Sequence, residues 1–297
     1  MRKTYFILML AGALLLTACK IKIQKASDPD FLHLEGFYLG QKPPGLIPKA
    51  FAPGIVATEN WECCGAFTPD MNEFYLIRNG GKYEGMTFVV YEYANDQWTE
   101  AVISHRVGQP FISPDGKTMH LGGRYKERTE SGWSEIKNLG GQFDEIRIMR
   151  LSASSKGTYY FDEVGTDGDG SIRYSRLVDG VREEPKLASE EINSGTWLAH
   201  PFIAPDESYI IFDGKKAGGY GDSDLYISYR QQDGSWGEAT NLGNKINTAA
   251  WEASATVTPD GKYLFFNRMI SPGSKDRLPN VDIYWVDAQI IESLKPQ

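Results

Sequence analysis

A β-propeller built from short antiparallel strands is the fold class this sequence predicts, and three observations carry the prediction. Five segments join a tight turn to an aromatic-rich run: FTPDMNEFYLIRN from Phe67, ISPDGKTMHLGG from Ile112, ASSKGTYYFDE from Ala153, IAPDESYIIFDG from Ile203 and VTPDGKYLFFNR from Val257. Their turn positions, Pro69, Pro114, Ser155, Pro205 and Pro259, are spaced at 45, 41, 50 and 54 residues, the range of a propeller blade or solenoid turn. The runs after the turns are dense in aromatic and β-branched residues, as strands buried on both faces should be, and helical periodicity is absent.

The first element is not part of the fold. Arg2 and Lys3 precede an apolar run from Tyr5 to Leu16 that is too short for a membrane span and shaped like an export signal. It ends Leu16-Thr17-Ala18-Cys19, which resembles the lipobox of bacterial lipoproteins. That resemblance implies removal of 1–18, lipid modification of Cys19 and, since Lys20 rather than Asp follows, an outer-membrane address facing the periplasm. Residues 19–49, with Lys20 to Ser27 as a polar stretch and PPGLIP beyond it, are expected to tether the domain and cross its surface. Residues 50–297 should form one propeller domain.

Within that domain each turn has a mechanical reason. Pro presets the first corner, Asp bonds the backbone two residues on, and Gly accepts the left-handed conformation. Third strands follow in MTFVVYEY, SIRYSRLV, SDLYISYR and VDIYWVDA, and fourth strands in QWTEAVIS, GWSEIKNLG, VREEPKLAS and SWGEATNLG. In the second unit only YKERTES separates the second strand from GWSEIKNLG, which predicts a missing or stunted third strand. The fifth unit ends in a short helix, with Ile290, Ile291 and Leu294 on one face, and so lacks a fourth strand. AFAPGIVATENWECCGAFTPD aligns with TNLGNKINTAAWEASATVTPD, so Phe51 to Ala57 should complete that last blade and remove two sheet edges.

The SPDGK turn, the DLYIS and DIYW strands and the NLG endings resemble the PD40 repeats of TolB-like, WD40-like β-propellers. The resemblance spans roughly residues 50 to 290 and implies a propeller. The count made here is five blades; the six-bladed ring common among TolB-like relatives would need Gly141 to Asn193 to be split. Fold alone does not fix function, since propellers host binding, scaffolding and catalysis.

In a propeller the innermost strands line a channel whose mouth is the usual ligand site. Five residues before each turn stand Cys64, Gln109, Arg150, His200 and Ser254, expected to ring the axis. Eight before stand Trp61, Arg106, Arg147, Trp197 and Trp251, expected at the approach. Arg forks onto carboxylates, and indoles offer flat faces to sugars or pack between blades. Glu62 and Glu252 occupy equivalent positions beside the ring and, with His200 and Arg150, are the candidates for any catalysis.

No cofactor is expected. His33, His105, His120 and His200 are the chain's histidines, and a single ring histidine is a weak metal signal. Asp167 and Asp169 in GTDGDGS lack the remaining ligands of an EF-hand, so calcium binding is weakly indicated and a polar hairpin loop is the expectation. The formal charge of -8 becomes two units more negative without Arg2 and Lys3, which argues against nucleic acid as a partner. No nucleophile elbow, phosphate loop or zincin helix is present.

These readings predict a lipid-anchored envelope propeller that binds a protein or glycan partner at its channel mouth without turnover. The alternative is a carbohydrate-active lyase or hydrolase acting on anionic glycans. The adjacent Cys63 and Cys64 fall beside the ring. Regular strand alternation would turn Cys63 to the blade and Cys64 to the channel, which favours two thiols over a bridge.

Overall fold

The computed structural model describes residues 34–165 and 170–296. The export segment, Cys19, the first part of the tether, His33, Asp167 and Asp169 lie outside the described residues. The chain is an all-β propeller.

Antiparallel strand pairs surround each of the five repeated turns, and these repeats are called units one to five in chain order; the first and fifth join in one eight-stranded sheet. The first unit runs Trp61–Phe67, Glu73–Gly80, Tyr83–Ala94 and Gln97–His105. In the fourth, Thr196–Ile203, Tyr209–Lys215, Asp224–Tyr229 and Thr240–Asn241 pair in that order. The turns form as their composition requires: the Thr68 N–H bonds Glu73 O at 3.0 Å, and Ser113, Ala204 and Thr258 repeat the contact.

The fifth unit, Glu252–Val257, Tyr263–Ser271 and Asn280–Asp287, is completed by chain from the N-terminal side. The completing strand is Lys49–Ala50, two residues ahead of the expected Phe51 to Ala57, and it pairs with Tyr284 and Trp285. Phe51 instead turns inward, where its ring meets Phe67, Phe74, Phe265 and Trp285 at 4.8–6.3 Å. Packing also begins earlier than the tether expectation placed it: Leu34, Tyr38 and Leu39 are buried, and the Tyr38 hydroxyl donates to Asp260 at 2.5 Å.

The second unit corrects the expectation of a stunted third strand. Arg124–Thr129 is as long as its counterparts Gly170–Ser175 and Asp224–Tyr229, at six residues each. The shortness falls instead on Pro110–Ile112 and Thr118–Leu121, because Gly122 and Gly123 end the second strand early. The C-terminal helix forms at Gln289–Ser293, with Ile290 and Ile291 buried. Among the described residues no helix is long and apolar enough to cross a membrane.

Candidate functional site at the channel mouth

The innermost strands of units one, four and five share a backbone irregularity that shapes the site. Their pairing slips between Cys63 and Ala66, between Ala199 and Phe202, and between Ala253 and Thr256. Each slip is a bulge, with one extra residue on the inner strand. The residue in the left-handed region is Cys64 (φ 65°), His200 (φ 49°) or Ser254 (φ 56°). These are the sequence-derived ring positions.

Each bulged N–H is caught by a side chain of the preceding unit. Asp162 accepts from His200 N at 3.0 Å, Asp213 from Ser254 N at 2.8 Å, and Asn267 from Cys64 N at 3.3 Å. These three acceptors stand at one repeat position, closing the aromatic or aliphatic run of the second strand in YYFD, IIFD and LFFN. Sequence reasoning passed over them, although an Asp, Asp, Asn recurrence closing otherwise apolar runs was there to read.

Cys64, Gln109, His200 and Ser254 line one cavity of about 690 Å³, and Trp61, Arg106, Trp197 and Trp251 line it with them. Eight of the ten predicted ligand residues are therefore brought together. Asp213, Lys215, Asp222, Ser223 and Asn267 join the lining. Trp197 stands half exposed at the rim, with a left-handed φ of 57° that its counterparts Trp61 and Trp251 do not share.

Arg150 and Arg147 are not on this cavity. Unit three has no bulge: the Asp162 N–H reaches Arg150 O at 3.3 Å, so Arg150 sits opposite Asp162 much as Ala199 sits opposite Asp213. Counting back from the turn thus overshoots by the missing residue, and Met149 takes the lining position. The Arg150 side chain is fully buried, and its three guanidinium nitrogens have no hydrogen-bond partner among the described residues. Burial pushes it down to about 10 against the pull of Asp213 and Asp162. Arg147 is exposed.

His200 is held at both ends. Its Nδ1 lies 2.9 Å from Asp213 Oδ1 and its Nε2 lies 3.1 Å from Gln109 Nε2. A carboxylate only accepts, so the ring proton belongs on Nδ1 and the Gln109 amide donates to Nε2. Both nitrogens are spoken for.

Glu62 and Glu252 are placed elsewhere, in matching structural roles. Glu252 takes Thr248 N and Oγ1 at 2.9 and 2.7 Å and pairs with Arg268 at 2.8 Å. Glu62 does the same with Thr58 and with Arg78, at 3.2 Å from the latter. Each staples a turn and is buried off the cavity.

Cys63 and Cys64 are bonded to each other in a vicinal disulfide and both line the cavity. The expectation of two thiols assumed regular alternation; the bulge at Cys64 removes that alternation. Of the other histidines, His105 is exposed at a strand end off the cavity. His120 is buried against Tyr159, where burial pushes it down to about 3. Among the described residues no group of three or more His, Cys, Asp or Glu side chains is arranged to hold a metal ion.

No family model and no curated protein matches the sequence. Among solved structures, the catalytic domain of the Coprinopsis cinerea GH62 α-L-arabinofuranosidase is similar, with 8% identity over 82% of this chain and 97% of that one and a TM-score of 0.52. TolB from Acinetobacter baumannii has 14% identity over 77% of this chain and a TM-score of 0.46, and this chain spans only 57% of its length. A TolB candidate from Agrobacterium tumefaciens has 19% identity over 71% of each chain and a TM-score of 0.43. At such identities the likeness is one of fold.

Proposed function

We propose that this chain is a non-enzymatic cell-envelope propeller, carried by lipid on Cys19 at the periplasmic face of the outer membrane, that binds a glycan in the channel-mouth cavity. One observation carries the reading: an aromatic-walled cavity whose central histidine has both ring nitrogens engaged. Its 690 Å³ suits a ligand of one or two sugar rings rather than a protein surface. Three indoles supply flat apolar faces, and the Asp213–His200–Gln109 chain fixes a polar floor.

The second reading, a lyase or hydrolase, is favoured by the 2.9 Å contact between Asp213 and His200, which is how a general base is oriented. Against it, Gln109 occupies the nitrogen that would take the proton, and Glu62, Glu252 and Arg150 are off the cavity.

A soluble form beginning at Lys20 should be screened on a glycan array and in a turnover assay, alongside His200→Ala. Saturable binding without product, weakened by His200→Ala, is expected. Product formation that His200→Ala abolishes would overturn the binding reading in favour of catalysis. The address is tested separately, by palmitate labelling of the full chain against Cys19→Ser, where equal labelling would remove the anchor.

A further inference from the structure

Among the described residues, three buried polar atoms on the cavity residues have no hydrogen-bond partner: Gln109 Oε1, Ser223 Oγ and Asn267 Nδ2. Each belongs to a side chain at least nine-tenths buried, and the three come from units two, four and five. Leaving such an atom unsatisfied costs about 1–3 kcal/mol, so a ligand that supplies the missing partners gains from all three.

Their chemistry is fixed by the bonds already made. Gln109 gives one amide N–H to His200, and its unpartnered atom is the carbonyl oxygen, which only accepts. Asn267 spends its carbonyl on Cys64 N–H, which leaves an amide that only donates. Ser223 can do either. A ligand must therefore donate at one point and accept at another, within one small cavity. Hydroxyl groups do both; a carboxylate only accepts, and would bring its charge towards Gln109 Oε1 and the carboxylate of Asp213.

The charge of the lining agrees. Arg106 and Lys215 are matched by Asp213 and Asp222, with Lys215 paired to Asp222 at 3.6 Å. Arg150, the cation on which an anionic ligand was expected to rest, is withdrawn from the cavity. Trp61, Trp197 and Trp251 offer apolar faces to the C–H side of a sugar ring and add no charge.

We propose that the ligand is a neutral saccharide, with its hydroxyls donating to Gln109 Oε1, accepting from Asn267 Nδ2 and bonding Ser223 Oγ. The inference rests on the glycan-binding reading and narrows it to uncharged sugars.

The test is a calorimetric and tryptophan-fluorescence titration of the soluble chain with two sets of oligosaccharides. One set ends in glucose or galactose; the other ends in the matching glucuronate or galacturonate. A neutral member is expected to bind at least tenfold tighter than its uronate counterpart. Ser223→Ala, which removes an atom that bonds nothing in the free chain, should weaken that binding about fivefold to tenfold without lowering the unfolding midpoint. Uronates that bind as well as or better than neutral sugars would overturn the neutral assignment and leave glycan binding standing. Unchanged affinity in Ser223→Ala would remove Ser223 from the site. Failure of both sets to bind would overturn the glycan reading itself.

Discussion

Asp282 and Glu62 reach for the same backbone N–H, that of Thr58, at 3.1 and 3.3 Å. Burial and the neighbouring Glu62 push Asp282 up to about 6, and burial raises Glu62 as well. A carboxyl raised in the folded chain binds its proton more tightly there than in the unfolded chain. Its contribution is fully present below the ordinary carboxylate pKa, about 3.9, and is lost as pH rises through about 6. Asp282→Asn keeps the acceptor for Thr58 and removes the titration. It is expected to flatten stability between about pH 4 and 6 and to gain on the order of 1 kcal/mol at pH 7. Urea unfolding at several pH values checks this, and a parallel loss at every pH would contradict it. The sequence placed Glu62 and Glu252 correctly as repeat equivalents but could not show Thr58, Thr248, Arg78 and Arg268 closing on them, since those contacts depend on how each turn folds back.

The bulges belong to the scale of the strand. Each forces a residue other than glycine into the left-handed region, which costs about 1 kcal/mol or more, and each is stabilised by a carboxylate or amide from the neighbouring unit. Asp162 carries the most, since its carboxylate accepts from Met149 N and Arg150 N at 2.8 and 2.9 Å as well as from His200 N. Asp162→Ala leaves those donors buried without partners and takes a negative charge from beside the buried Arg150. We expect a loss of about 3–5 kcal/mol, with Asp162→Asn intermediate because one oxygen remains. Thermal unfolding checks the order, and Asp162→Ala unfolding at the parental midpoint would dismiss the clamp. The ring of Cys64, Gln109, His200 and Ser254 was legible because repeat spacing is a property of the chain alone. The displacement of Arg150 and the Cys63–Cys64 bridge were not, because both turn on whether a strand bulges, and no residue in the inner strands announces it.

At the scale of the whole molecule the repeat turns and aromatic runs made the propeller legible, and the alignment across residues 50–70 and 240–260 showed that the last unit borrows its outer strand. What remained hidden was how that strand is anchored. Lys49 and Ala50 pair with the Asn280–Asp287 strand, and the Phe51 N–H to Ile283 O at 2.8 Å and the Asp287 N–H to Gly45 O at 3.1 Å extend the contact at either end. So short a ladder cannot close a ring unaided, and Phe51 follows it into an aromatic cluster drawn from the first and fifth units. Tyr38 adds an edge contact to Tyr263 at 4.9 Å and its bond to Asp260. Closure thus combines this backbone pairing with apolar burial. Truncating a fully buried Phe typically costs about 3–5 kcal/mol, so Phe51→Ala should lower the unfolding midpoint by several degrees, whereas Lys49→Ala, whose exposed side chain leaves the ladder intact, should scarcely move it. A chain beginning at Phe51 would leave the outer edge of the strand at Tyr284 and Trp285 unpaired and should associate on warming. Differential scanning calorimetry with light scattering compares the three. If the truncated chain unfolds at the parental midpoint without scattering, the segment from Leu34 to Ala50 contributes nothing to closure, and the ring is held by the single parallel bridge between Trp61 and Val281 and the packing around it.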